Sequence, residues 1–135
     1  NKTMEKIRKE NVCKNQIKKG RAGSREIIKN LIKGKSIALM IDQRVREGEK
    51  VKFFNNLATT TTIPAQLVKK YKCELVPIYI ERKKSNYFKI YISKPIKVSK
   101  TKSILEITEF LNQVLENMIL KNVDQWIWTH DRWKS

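Results

Sequence analysis

Ser36-Ile37-Ala38-Leu39-Met40-Ile41-Asp42-Gln43 is an apolar run that stops abruptly at two polar residues. A continuous apolar segment of this length reads as a strand buried on both faces, the kind found in mostly parallel sheets. Ligands in such sheets bind outside the carboxyl ends of the strands, so Asp42 and Gln43 stand where a site is expected. A carboxylate there accepts a hydroxyl proton or orients an Arg, and a Gln both donates and accepts. On spacing alone, an Asp that opens a turn after a strand is the commoner meaning of the same residues.

Upstream of the run, residues 2–19 are mostly charged, with Met4, Ile7, Val12 and Ile17 as sparse apolar points. A short helix through Glu10 is expected, then an extended piece. Gly20 and Gly23 bracket a turn. Ser24 is a candidate cap for a helix whose face is Ile27, Ile28, Leu31 and Ile32, closed by Gly34.

Downstream, residues 42–61 read as a long charged connection that turns aromatic at Phe53-Phe54. Loops of that length in a compact domain tend to be functional. The stretch Asn55 to Thr62 leads into a helix with Pro64 in its first turn, continuing to about Lys72. Backbone N–H groups at such a helix start can meet phosphate or a carbonyl oxygen. Capping by Thr61 or Thr62, with Phe53 and Phe54 as core aromatics, is the plainer alternative.

Leu75-Val76-Pro77-Ile78-Tyr79-Ile80 reads as another buried strand, Lys83 to Asn86 as a turn, and Tyr87 to Ile92 as an alternating antiparallel partner ended by Pro95. Residues 103–121 form the strongest helical pattern. Its stripe is Ile104, Ile107, Leu111, Val114 and Met118, widened by Phe110, Leu115 and Ile119. The order of elements is α/β. The countable sheet is small, so at least one βα unit is expected ahead of Asn1, and the start on Asn1 rather than Met leaves room for a further segment or anchor.

The net charge is +17 and the pI about 10.0. A polyanionic partner fits this, either nucleic acid or a phosphate-bearing membrane surface. Of the 30 basic residues 23 are Lys and seven Arg, in a chain also rich in Asn and Ile, so AT-rich coding accounts for most of the lysines. Each scarce Arg is therefore more informative. Arg8, Arg21 and Arg25 stay open between phosphate contact and surface solvation. A hydrophobic share of 40% argues against disorder. Cys13 and Cys73 lack metal or redox spacing and read as free thiols. No apolar run reaches the length of a membrane span.

Gln125 to Lys134 packs three Trp, His130 and Arg132 into ten positions. Trp usually finds an apolar pocket and an N–H partner, so this terminus is expected to dock on the domain. His130, the only histidine, is followed by Asp131, but neighbouring residues point apart, and it reads as a hydrogen-bonding His of that tail.

Taken in order, Ile41-Asp42-Gln43, Phe53-Phe54, Ala58-Thr59-Thr60, Leu75-Val76-Pro77-Ile78 and Gln125-Trp126-Ile127-Trp128 with His130, Arg132, Trp133 and Lys134 resemble the lipid A biosynthesis acyltransferases. This is the lauroyl/myristoyl family within the wider glycerolipid acyltransferases, and the likeness covers essentially the whole chain. It implies a partial glycerolipid-acyltransferase-like fold, with a mixed β-sheet flanked by helices and an N-terminal βα part missing. Residues 1–135 would be the C-terminal part of a single acyltransferase domain.

The resemblance implies an acyl carrier protein thioester as donor, a phosphorylated glycolipid acceptor and an anionic membrane surface at the cytoplasmic face of the bacterial inner membrane. No nucleic acid, metal or cofactor is implied. It puts the acceptor site at Arg8, Asp42, Gln43, Phe53, Phe54 and Thr59. Arg132 serves either the site or the packing of the tail, and Trp126, Trp128 and Trp133 are structural.

The family's catalytic His-x-x-x-x-Asp/Glu pair is absent from these residues, because the position that would complete one from His130, the only histidine, is the terminal Ser135. The base is expected upstream, and this chain by itself is expected to be inactive. The rivals are an acyltransferase with a glycerolipid or aminolipid acceptor, a basic nucleic-acid-binding module, and a pseudoenzyme or gene remnant.

Overall fold

The computed structural model describes residues 2–18 and 20–134. The chain forms two units, Asn1–Ala38 and Leu39–Ser135. The first holds α1 (Lys2–Asn11) and α2 (Arg21–Ile32). The second holds β1 (Glu49–Phe53), β2 (Asn56–Thr60), α3 (Ile63–Tyr71), β3 (Ile78–Lys84), β4 (Tyr87–Ile92) and α4 (Ile104–Ile119), followed by a 3-10 turn at Val123–Gln125.

In the first unit α1 buries no residue. Arg8 and Lys9 lie in its last turn, where positive charge meets the favourable end of the helix dipole. α2 begins four residues earlier than a Ser24 cap would place it. Gly20 takes φ 100, a conformation that L side chains rarely adopt, and so opens the helix itself. Gly23 is buried where any Cβ would collide with the Lys18 carbonyl, so only glycine fits that crossing. Gly34 at φ 73 closes the helix, and its N–H donates to Leu31 O at 2.9 Å, as a helix-ending glycine should.

The class is mixed α/β, but the strands form two separate antiparallel hairpins, β1-β2 and β3-β4. The run Ser36 to Ile41 is not a strand. A strand buried on both faces needs hydrogen-bonding neighbours, and among the described residues none pairs with this segment. Met40 is consequently 76% exposed, while Ile41 packs on the Ala65, Ile107 and Leu111 cluster.

The supposed long loop instead contains the β1-β2 hairpin, paired from Glu49↔Thr60 to Phe53↔Asn56. Its two-residue connection, Phe54-Asn55, takes φ 47 and 61, the doubly positive turn that suits strand twist. Phe54 is bulky for that conformation, and its N–H is held by Glu116 Oε1 at 2.8 Å. Val51, Phe53, Ala58 and Thr60 point inward and are buried.

Helix α4 carries a reciprocal cap between Ser103 and Glu106. Its buried face is Ile107, Thr108, Leu111, Asn112 and Ile119, rotated from the purely apolar stripe because two polar residues find partners inside. Thr108 Oγ1 donates to Ile104 O at 2.7 Å and Asn112 Nδ2 to Lys52 O at 2.8 Å. One core cluster joins Phe53, Ala58 and Ile119, flanked by Phe54, Leu115, Trp126 and Trp133.

β3 and β4 pair antiparallel as their pattern predicts. The expected double burial of the segment from Leu75 does not hold, for Ile78 and Ile80 are 54% and 57% exposed. This hairpin packs with one face only. Tyr79 OH and Glu81 Oε1 accept from Asn122 Nδ2, and the Gln125 side chain exchanges two hydrogen bonds with the Arg82 backbone.

Candidate functional site

The C-terminal tail docks on the first hairpin. Trp133 stacks on Phe53 with ring centroids 5.5 Å apart, and its Nε1 donates to Phe53 O at 3.0 Å. Trp126 meets Phe53 edge-on at 5.8 Å. Trp128 is nearly half exposed, although its Nε1 donates to Val123 O at 2.7 Å. His130 Nε2 accepts from Arg44 N–H at 3.2 Å, so it binds the tail to the segment after Asp42. Asp131 does not orient it, its Oδ1 instead accepting from Trp133 N–H.

Between these aromatic contacts lies Arg132, fully buried. Its Nη1 donates to Thr59 O at 2.5 Å, its Nη2 to Thr60 Oγ1 at 2.9 Å, and its guanidinium carbon lies 5.3 Å from the centre of the Phe53 ring. Thr60 Oγ1 also accepts from Asn112 Nδ2 at 3.2 Å and donates to Ala58 O at 3.1 Å. Burial pushes the guanidinium below the ordinary arginine range, and the Asp42 charge pushes it back. Asp42 Oδ1, Arg44 Nε, Asn112 Oδ1 and Arg132 Nε are buried without a hydrogen-bond partner among the described residues.

Of the residues singled out from sequence, Asp42, Thr59, Phe53 and Arg132 fall into this one neighbourhood, with Phe54 edge-on to Phe53 at 4.9 Å. Asp42, Phe54 and Thr59 are half-buried and Gln43 is exposed, whereas Phe53 and Arg132 are sealed inside. Arg8 is exposed on α1, in the other unit. Sequence reasoning missed Thr60, Asn112 and Arg44. The available signal was a polar residue at a core spacing of α4, Asn112 following Ile104 and Thr108 at intervals of one helical turn.

Cys13 and Cys73 are free, and burial raises the Cys73 thiol above its ordinary range. Among the described residues no group of His, Cys, Asp and Glu could hold a metal, and no helix is long and apolar enough to cross a membrane. One surface depression of the second unit lies elsewhere, lined by Ile80, Arg82, Phe88, Asp124 and Gln125.

The arrangement supplies a half-buried carboxylate, a hydroxyl, an exposed amide and a positive charge beneath them, which suits a polar, hydroxyl-bearing ligand. Compared with known proteins, residues 3–135 match the profile of one family, described as bacterial lipid A biosynthesis acyltransferase. No individual curated protein matches the chain.

Proposed function

The chain belongs to the bacterial lipid A biosynthesis acyltransferase family, and on that premise we propose that it carries the acceptor side of an acyl transfer from acyl carrier protein to a hydroxyl of a phosphorylated lipid A precursor. The observation that carries this reading is the Asp42 carboxylate. Asp42 is half-buried, so part of it stays open to a ligand beside exposed Gln43, while its Oδ1 is buried without a hydrogen-bond partner among the described residues. A carboxylate so placed accepts a hydrogen bond from an acceptor hydroxyl or sugar amide. Thr59 and Phe54 are proposed as hydroxyl and apolar contacts to the same acceptor. Phe53 shapes the site from beneath.

The transfer itself needs a base that removes the proton as the acceptor oxygen attacks the thioester carbonyl. The tetrahedral oxyanion then collapses and expels the carrier thiolate, which takes up a proton. No His-x-x-x-x-Asp/Glu pair occurs in these residues, and His130 spends its Nε2 on Arg44 N–H. We place the base on other residues of the enzyme and propose that the present chain alone is inactive. The enzyme works at the cytoplasmic face of the inner membrane, where a basic surface meets anionic lipid and an acidic carrier protein. Incubating the chain and the intact enzyme separately with acyl carrier protein thioester and lipid A precursor tests this. One added acyl group with the intact enzyme and none with the chain is expected. Turnover by the chain alone would overturn the placement of the base.

A further inference from the structure

We propose that Arg132 is the positioning residue of the acceptor site, acting through Thr59 and Thr60 without touching the lipid. The inference rests on the acyltransferase reading above. Arg132 is 0% exposed, so no ligand at the surface reaches it. Its planar fork instead grips two successive residues at the end of β2, the Thr59 carbonyl and the Thr60 hydroxyl. That pair of bonds fixes the peptide plane between them. Side chains alternate along a strand, so holding Thr60 inward sets the half-buried Thr59 outward.

The Thr60 hydroxyl is saturated, with Arg132 and Asn112 donating to it and Ala58 O accepting from it. Tail, hairpin and α4, 72 and 52 residues away in sequence, thus meet at one oxygen. Asp42 is the charge that opposes the desolvation of the guanidinium, and no ion pair within contact distance involves Arg132 among the described residues.

Docking the tail does not require that cation. Trp126 and Trp133 already pack on Phe53 and hold the tail there by ring contacts of their own. What an apolar residue cannot do is hold the Thr59-Thr60 peptide by two hydrogen bonds at once.

The test compares Arg132→Met and Arg132→Lys with wild type in the intact enzyme, by steady-state kinetics and by amide hydrogen exchange. The Met variant is expected to raise KM for the lipid acceptor about tenfold, leave KM for the acyl donor unchanged, and speed exchange over residues 59–63 while α4 stays protected. The Lys variant recovers part of both effects, since an ammonium reaches one of the two acceptors. If the Met variant does not fold, the Lys variant decides by the same split. Unchanged kinetics, or a fall in kcat with both KM values unchanged, would overturn the proposal, because a purely structural loss reduces only the active fraction. Should wild type transfer no acyl group to any lipid A precursor, the acyltransferase reading fails on its own. The exchange arm then decides for Arg132, with acceleration confined to residues 59–63 supporting it and unaltered exchange removing it.

Discussion

Asp42→Ala removes a half-buried carboxylate that, among the described residues, has one oxygen without a partner and no ion pair within contact distance. Its loss should cut acyl transfer by the intact enzyme at least about tenfold, out of proportion to the fall in unfolding free energy. Kinetics alongside urea unfolding check this, and a folded variant with normal turnover contradicts the assignment. Asn112→Ala belongs to the opposite class. It leaves the Lys52 carbonyl and Thr60 hydroxyl of the first hairpin short of a donor, and should cost about 2 kcal/mol in urea unfolding. A loss indistinguishable from zero would show that the buried amide does not hold hairpin and helix together. Asp42, Thr59 and Arg132 were legible as a group because they fall in motifs a family resemblance can align. Asn112 was not. A polar residue on a helix reads as solvated until its partner is known, and its partners lie 60 and 52 residues away.

At the scale of elements, α4 owes its start to Ser103. The Ser103 hydroxyl accepts from Glu106 N–H at 3.2 Å, and Glu106 Oε2 accepts from Ser103 N–H at 2.7 Å. Those bonds to Ser103 hold the Glu106 carboxyl below the usual carboxylate range. A folded-state value below the unfolded one means stability fully present above the unfolded value and lost as pH falls through the folded value. Ser103→Ala should cost about 1 kcal/mol at neutral pH and flatten part of that acid loss, read by urea unfolding at neutral pH and below the carboxylate range. An undiminished acid limb in the variant contradicts the cap as its source. Helices α1, α3 and α4 and the pairing of β3 with β4 were readable from local pattern. The Ser36 to Ile41 run was not, because an apolar run states a wish for burial and says nothing of whether a neighbouring strand pairs with it. The β1-β2 hairpin escaped notice because Phe54-Asn55 carries no glycine, although both residues adopt the positive φ that usually announces one.

For the whole molecule, a net charge of +17 predicts salt-sensitive association with anionic surfaces. The intact enzyme should sediment with vesicles containing anionic lipid at low ionic strength and release as salt rises. Equal retention on neutral vesicles would remove the electrostatic role. The central claim is narrower, that this chain builds the acceptor site of a lipid A acyltransferase around Asp42. Its most direct test is mass spectrometry of a lipid A precursor after incubation with acyl carrier protein thioester and either intact wild-type enzyme or its Asp42→Ala variant. Wild type should add the mass of one acyl group and the variant little or none. No added mass with wild type, or equal addition by both, would contradict the account.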